Sequence, residues 1–235
     1  MEEFLSKGDS LKTEFNVLFI GNSFIFFNDL PGTLSELAEA GDYTIKAQSI
    51  ATPGWTLEQH AQSQTTLSKI AQQHWDYVVL QEQSVLPIYQ RDRRQRMYPA
   101  ARILQKKAQR SGAKVILLMT WGRKNGLKDA GYRNFNQMQT ALTEGYREVA
   151  SKLDAIVAPV GVAWKNVLAE KPFFPLWRSD GSHPSKQGTY LAACVLYSTM
   201  IKESSEGIDF ASGLSRETNA FLQGIASKTV LEDVR

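Results

Sequence analysis

Residues 15–24 read Phe-Asn-Val-Leu-Phe-Ile-Gly-Asn-Ser-Phe and carry the signal that decides the fold. Residues 15–20 form a short, almost wholly apolar run, which is typical of a strand buried on both faces of a sheet. Gly21 then permits a sharp turn, and residues 31–40 place apolar side chains at helical spacing before Gly41. A buried strand, a turn and a helix in succession predict the repeating unit of a parallel α/β sheet.

The rest of the chain repeats this alternation of short apolar runs and amphipathic segments. The pattern predicts one α/β domain over residues 1–235, in which a flavodoxin-like, five-stranded parallel sheet is the middle layer of an α/β/α sandwich. Residues 1–13 are expected to be a loosely ordered N-terminal extension. Periodicity predicts strands over 15–20, 43–50, 77–80, 114–120 and 155–158, and helices over 31–40, 57–73, 92–110, 133–153, 162–169, 185–201 and 214–226.

The composition is that of an ordinary globular protein and excludes few partners. The chain has 235 residues, of which 43% are hydrophobic and 22% charged, and a net charge of +3, which is too small to indicate a polyanionic partner. One basic cluster stands out but lacks interleaved aromatic residues, so we interpret it as a solvated helix face and expect no nucleic-acid partner. Its members are Arg91, Arg93, Arg94 and Arg96.

Location is predicted only by default. The sequence contains no run of 18 apolar residues, so no membrane span is expected. The acidic start Met-Glu-Glu-Phe-Leu-Ser-Lys is not a signal peptide, which favours the cytoplasm, although a periplasmic or secreted protein whose leader had been trimmed would look the same. The single cysteine, Cys194, lies in an apolar run and is expected to be a buried structural thiol.

Ser23 is the first candidate for chemistry. It follows the first strand and Gly21, so it lies at the carboxyl edge of the sheet, where ligands of parallel sheets bind. Its hydroxyl would be exposed and its N–H could face an oxyanion. A serine in such a turn is more often a helix cap, and the sequence lacks the Gly-x-Ser-x-Gly elbow because residue 25 is isoleucine.

The second candidate is the sequence Asp-Gly-Ser-His at residues 180–183. Asp180 and His183 are close enough to share a hydrogen bond that orients the imidazole. The alternative is an Asp-capped turn with an incidental histidine. His60 and His74 show no metal-ligand spacing and are interpreted as surface or capping residues, so no metal site is expected.

Two further strand ends carry groups able to donate hydrogen bonds. Gly54 follows the second predicted strand, and Gln81 and Gln83 follow the third. A backbone N–H and a side-chain amide at this edge could both bind an oxyanion. Each of these segments could also be simple turn chemistry.

Together these segments resemble the four blocks of the SGNH hydrolases, also called GDSL esterases and lipases. Residues 21–24 resemble the Gly-Asp-Ser-Leu block, Gly54 matches the glycine block, Gln83 lies where that family has its asparagine, and Asp180 with His183 match the last block. The resemblance spans residues 15–200. Residues 158–164 and 183–193 are similar to a bacterial SGNH-like subgroup without an assigned substrate.

The resemblance implies a serine esterase that needs no cofactor. Ser23 would be the nucleophile, His183 the base and Asp180 its orienting acid, with an oxyanion hole of the Ser23 N–H, the Gly54 N–H and the Gln83 amide. This sequence departs from the family at Asn22, which replaces an acid, and at Gln83, which is one methylene longer than asparagine. Gln81 is therefore a competing donor.

The substrate is predicted only in outline. Residues expected near it are Asn22, Trp55, Gln81, Trp121 and Trp177. The tryptophans could stack on a sugar ring, which suggests deacetylation of a carbohydrate, or could simply be packing residues. The absence of a long apolar lid segment favours a short acyl group.

Two other readings remain open. The same triad would also serve a lysophospholipase or a thioesterase. A non-catalytic module that holds a sugar or a nucleotide is the rival from another class, although no glycine-rich phosphate loop is present. The oligomeric state is not predicted.

Overall fold

The structure, a computed structural model, describes residues 12–232. The predicted extension over residues 1–13 lies outside the described residues except at its end. There, Thr13 is already the first residue of a strand, so the ordered sheet begins two residues earlier than predicted.

A five-stranded, fully parallel sheet forms the middle of the molecule, as predicted. Its strand order is β2-β1-β3-β4-β5, which places the first strand next to the point where the order reverses. The strands are β1 (Thr13–Gly21), β2 (Tyr43–Ala51), β3 (Tyr77–Leu80), β4 (Lys114–Leu118) and β5 (Ile156–Ala158).

Ten α-helical segments connect and cover these strands within the described residues. The helices are α1 (Ser23–Phe26), α2 (Leu30–Ala40), α3 (Leu57–Gln62), α4 (Gln64–Ala71), α5 (Gln90–Asp92), α6 (Tyr98–Arg110), α7 (Phe135–Leu153), α8 (Val160–Glu170), α9 (Lys186–Ile201) and α10 (Arg216–Leu231). Helix α1 follows the first strand directly, and α5 is a single turn that precedes the longer helix α6.

Two predicted helices are not continuous regular α-helices in the structure. The helix predicted over 57–73 is broken at Ser63, whose extended backbone lets its hydroxyl accept the Thr66 N–H and cap α4. The helix predicted over 92–110 contains a π-helical turn at Arg93–Met97. That turn precedes Pro99, whose missing N–H and bulky ring disturb the regular hydrogen-bond pattern.

Both faces of the sheet are buried, as the apolar strands predict. In β1, Val17 and Phe19 point into one core, while Leu18 and Ile20 point into the other. The first core contains residues of α2, α8, α9 and α10, and the second contains residues of α3, α4, α6 and α7. Cys194 lies in the first core, as predicted, and burial raises the pKa of its thiol to about 12.

The register brings the carboxyl ends of the strands to one edge. Gly21 of β1 is paired with Ala51 of β2, and Leu80 of β3 is paired with Leu117 of β4. The loops that follow β1, β2, β3 and β4 therefore emerge side by side. This edge is where the predicted site residues of three loops have to meet.

The basic cluster is not simply a solvated helix face. Arg93 and Arg96 form ion pairs with Glu148 and Glu58, at 3.0 and 2.9 Å, and the Arg93 side chain is only 12% exposed. No helix within residues 12–232 is both long and apolar enough to cross a bilayer.

Candidate active site

Ser23 begins α1 directly after the first strand. Its neighbour Asn22 caps this short helix, accepting the Phe24 N–H at 3.2 Å, and donates its side-chain amide to the Trp55 carbonyl at 2.9 Å. The Asn22 N–H donates to the Gln81 side-chain oxygen at 2.8 Å. A Cβ on Gly21 would collide with that same oxygen. The turn that carries Ser23 is thus fixed to the loops after both neighbouring strands.

Asp180 and His183 form a self-capped turn. One carboxylate oxygen of Asp180, Oδ1, accepts the backbone N–H groups of Ser182 at 2.8 Å and His183 at 2.9 Å. Gly181 adopts a φ of 66°, which a side chain would disfavour. The other oxygen, Oδ2, lies 2.7 Å from His183 Nδ1. A single carboxylate therefore shapes the turn and orients the ring.

The two segments meet although they are 160 residues apart in the sequence. His183 Nε2 lies 2.9 Å from Ser23 Oγ. Because Asp180 accepts the proton on Nδ1, Nε2 is left as the acceptor for the Ser23 hydroxyl. The Asn28 amide donates to the Pro184 carbonyl at 2.9 Å, and the Phe27 ring packs against the His183 ring, with centroids 4.4 Å apart.

The Asp180 carboxylate is held in its ionised form. Partial burial acts to raise its pKa, but hydrogen bonds from the Ser182 N–H, the His183 ring and the His183 N–H outweigh that effect, so the pKa lies below its ordinary value. An ionised Asp180 can accept the proton on Nδ1 and so hold the His183 ring in a fixed orientation.

A cavity of about 570 Å³ opens beside Ser23 and His183, within the size range of small-molecule sites. Gly54, with a φ of 70°, and Gln83 also line it. Within the described residues, the N–H groups of Ser23 and Gly54 donate to no other protein group. The walls of the cavity also include the apolar residues Phe24, Phe26, Phe27 and Pro53.

The two glutamines predicted as alternative oxyanion donors have different environments. Gln83 Oε1 accepts the N–H groups of Val85 and Leu86, at 2.9 and 3.2 Å, so its NH₂ group is the end left free. Gln81 is fully buried, and its amide is engaged by the Asn22 N–H and by the Glu82 carbonyl. Gln83 lies on the cavity wall and Gln81 beneath it.

Glu82, between the two glutamines, is a residue that sequence reasoning missed. It is fully buried, and its Oε1 accepts the Gln83 N–H at 2.7 Å and the Leu57 N–H at 3.1 Å. It thereby joins the Gln83 loop to the start of α3, which follows the Gly54 loop. Oε2 has no hydrogen-bond partner among the described residues. Burial raises the pKa of Glu82 to about 7, against the opposing effect of the two N–H groups.

Glu82→Gln should remove a pH dependence of stability. Because the pKa is raised from 4.5 in the unfolded chain to about 7 in the folded one, the folded state binds more protons between these values. The contribution of Glu82 is therefore complete below pH 4.5 and is lost as the pH rises through 7. The total change is about 3 kcal/mol.

Urea unfolding between about pH 5 and pH 8 would measure this effect as the difference between wild type and variant. The wild-type free energy of unfolding should decline relative to that of Glu82→Gln across this range. Glu144→Gln, at an exposed position of α7, should follow the wild type. Parallel curves for wild type and Glu82→Gln would show that Glu82 titrates normally.

The prediction for His60 was wrong, because this residue is neither on the surface nor at a cap. It is fully buried, its Nε2 lies 2.8 Å from the Gly21 carbonyl and its Nδ1 lies 3.0 Å from the Thr66 hydroxyl. Burial lowers its pKa, so the neutral ring donates from Nε2 and accepts at Nδ1. His60 anchors α3 to the end of β1, directly below the Ser23 turn. His74 is exposed, as predicted.

The residues predicted to bind substrate need correction. Trp121 is buried between the rings of Phe24 and Trp164, with centroids 4.7 and 4.1 Å away, so neither of its faces can stack on a ligand. Trp177 donates its indole N–H to the Gly122 carbonyl and does not line the cavity. Trp55 packs its ring against His60 and does not line the cavity either.

Asn22 and Gln81 were also predicted to bind substrate, but their side chains form hydrogen bonds with other groups of the protein. Asn22 lines the cavity but is 3% exposed, and its side chain is satisfied by Phe24 and Trp55. Gln81 is fully buried and does not line the cavity. These two polar residues support the turn at Ser23.

Comparisons with known proteins find relatives by structure. A scan against protein-family models and a search of curated proteins found no match. A candidate SGNH hydrolase from Slackia heliotrinireducens superimposes with a TM-score of 0.68 and 27% identity, covering 80% of this chain and 100% of that chain. A DUF4886 family protein from Bacteroides uniformis gives a TM-score of 0.81 at 19% identity, over 94% of this chain and 96% of that one.

An acetylxylan esterase from Geobacillus stearothermophilus gives a TM-score of 0.56 at 17% identity, over 88% of this chain and 99% of that one. The fold is therefore the three-layer α/β/α fold of hydrolases with a parallel sheet. The resemblance seen in the sequence is confirmed at the level of the fold: the chain has the fold of the SGNH/GDSL hydrolases, as its likeness to the candidate SGNH hydrolase at 27% identity shows.

Proposed function

We propose that the protein is a serine esterase in which Ser23, His183 and Asp180 form the catalytic triad. The observation that carries this proposal is the continuous chain of hydrogen bonds from Asp180 Oδ2 through His183 to Ser23 Oγ, at 2.7 and 2.9 Å, on the wall of an open cavity. This arrangement suits a nucleophile, its base and the group that orients the base.

The reaction follows from the donors and acceptors in place. Ser23 Oγ attacks the ester carbonyl carbon while His183 Nε2 takes the hydroxyl proton. The N–H groups of Ser23 and Gly54 and the Gln83 amide receive the negative oxygen of the tetrahedral intermediate. Each such donor contributes about 3 kcal/mol to transition-state stability.

His183 completes both halves of the reaction. It first gives the proton to the leaving alcohol, which departs and leaves the acyl group bound to Ser23. It then takes a proton from water, which attacks the acyl carbonyl, and it returns that proton to Ser23 Oγ as the bond to the acyl group breaks and the acid leaves. Asp180 keeps Nδ1 protonated throughout.

The substrate we propose is an ester with a short acyl group. The likeness in fold to an acetylxylan esterase supports acetyl as the acyl part. Deacetylation of a carbohydrate rests on that likeness alone, since the tryptophans behind the prediction do not line the cavity. A lysophospholipase or thioesterase and a non-catalytic binding module remain the competing functions.

Covalent labelling distinguishes an esterase from a binding module. A fluorophosphonate should react with the folded protein at one serine, because only an activated hydroxyl attacks this reagent. Ser23→Ala should abolish labelling, whereas Ser84→Ala, at another serine of the cavity wall, should retain it. Absence of labelling in a wild type that remains folded would contradict the proposed function.

A further inference from the structure

The cavity wall carries one permanent positive charge that the reaction above does not use. Arg123 lines the cavity beside Ser182 and His183. Its Nε is buried without a hydrogen-bond partner, and its guanidinium forms no ion pair with any of residues 12–232. No acidic side chain lines this cavity among the described residues. Because no described residue of the cavity wall supplies a counter-charge, the Arg123 guanidinium is available to pair with an anionic ligand.

The backbone around Arg123 is fixed to the turn that holds the triad. The Trp121 indole donates to the Ser182 carbonyl at 3.0 Å, and the Trp177 indole donates to the Gly122 carbonyl at 3.1 Å. The Lys124 N–H donates to the Gly181 carbonyl at 2.9 Å. Hydrogen bonds of the residues on both sides of Arg123 thus fix its backbone relative to His183. A fixed position of this kind is what selective recognition requires.

A second cation reinforces the positive character of the entrance. The Arg178 guanidinium lies over the ring of Phe27, 4.9 Å from its centroid, and Phe27 lines the cavity. Asp180, which is hydrogen-bonded to His183 and two backbone N–H groups, contributes one negative charge against the two positive charges of Arg123 and Arg178. These three side chains together carry a net charge of +1 (two cations and one anion).

We propose that Arg123 is a specificity residue that binds an anionic oxygen group, such as a carboxylate, on the substrate of this esterase. A guanidinium pairs with a carboxylate through two parallel hydrogen bonds, so it fixes orientation as well as affinity. The inference rests on the proposed function and narrows its substrate class to acidic esters. The charged group occupies the Arg123 end of the cavity while the ester carbonyl lies at Ser23.

Matched pairs of esters test the role of Arg123. The anion lies on the alcohol side in p-acetoxybenzoate and on the acyl side in mono-p-nitrophenyl glutarate, and the methyl ester of each is its neutral partner. Wild type should favour at least one acid over its methyl ester, and Arg123→Gln should lower kcat/KM for that acid by about 10- to 100-fold. The ratio of acid to methyl ester within each enzyme, compared between enzymes, cancels differences in intrinsic reactivity.

The control variants distinguish direct pairing of Arg123 with the anionic group from a general electrostatic effect of nearby positive charge. Arg123→Gln should lower kcat/KM for the preferred acid more than for its methyl ester, and Arg123→Lys should restore part of the preference. Lys124→Gln removes the same charge one residue away, outside the cavity wall, and should keep the wild-type ratio. Equal losses in Arg123→Gln and Lys124→Gln, or equal losses on acid and methyl ester, would overturn the role of Arg123.

The outcomes also separate this inference from the proposed function. Ser23-dependent hydrolysis of the methyl esters without preference for either acid would refute the anionic substrate and leave the esterase in place. If wild type hydrolyses none of the esters, the esterase fails, and calorimetry with p-hydroxybenzoate decides the inference. Binding of this anion to wild type but not to Arg123→Gln supports the anion site, and equal or absent binding overturns it.

Discussion

Ser23→Ala is expected to lower kcat for p-nitrophenyl acetate by about 10⁴- to 10⁶-fold, because the variant has no nucleophile for the acyl transfer. The free energy of unfolding should stay within about 1 kcal/mol of the wild type. The only side-chain hydrogen bond of Ser23 among the described residues is the one to His183, and the cap of α1 belongs to Asn22. Steady-state kinetics and urea unfolding of the same preparations measure both quantities.

His183→Ala should match Ser23→Ala, since neither group acts without the other. The double variant Ser23→Ala/His183→Ala should be no slower than either single variant, because the first loss already removes the shared step. Residual hydrolysis should come from the oxyanion donors and from binding alone. Multiplicative losses in the double variant, or wild-type turnover by either single variant, would contradict a coupled nucleophile and base.

The sequence was sufficient to predict the parallel sheet and the site residues that directly follow its strands. Apolar strands buried on both faces require a parallel sheet, and a parallel sheet places the loops after its strands on one edge. Ser23, Gly54 and Gln83 each follow one of these strands, so their convergence is a consequence of topology. The pairing of Asp180 with His183 is local: their spacing allowed it, and the resemblance to the last SGNH block favoured it over an Asp-capped turn.

What the sequence could not predict depends on contacts between distant segments. His60 was interpreted as a surface or capping residue, yet its ring is buried and lies within hydrogen-bond distance of the Gly21 carbonyl, 39 residues earlier in the chain. Trp121 is covered by Trp164, a neighbour 43 residues later. Local periodicity contains no information about either contact.

Glu82 shows the same limit for a charged residue. Flanked by Gln81 and Gln83, it reads as part of a polar turn. It is buried, and its carboxylate accepts the N–H of Leu57 at the start of α3. A polar side chain can be buried at low cost only when a group from elsewhere in the chain forms a hydrogen bond with it, and the local sequence pattern does not identify that group.

Asp180→Asn should lower kcat by about 10³- to 10⁴-fold with little loss of stability, because the substitution reverses one hydrogen bond and preserves the others. The asparagine oxygen can still accept the N–H groups of Ser182 and His183, so the turn should persist. Its NH₂ group, however, takes the place of Oδ2 and faces His183 Nδ1 as a donor. The ring then carries its proton on Nε2, and the Ser23 hydroxyl loses its acceptor.

Asp180→Ala is the matched comparison, because it removes the bonds to the turn as well as the bond to the ring. It should unfold at lower urea concentration, with a loss of about 1 to 3 kcal/mol, whereas Asp180→Asn should stay close to the wild type. Nitrogen NMR of the His183 ring should show the proton on Nδ1 in the wild type and on Nε2 in Asp180→Asn. If Asp180→Asn keeps its activity within about threefold, the carboxylate does not set the tautomer, and the role of Asp180 reduces to shaping the turn.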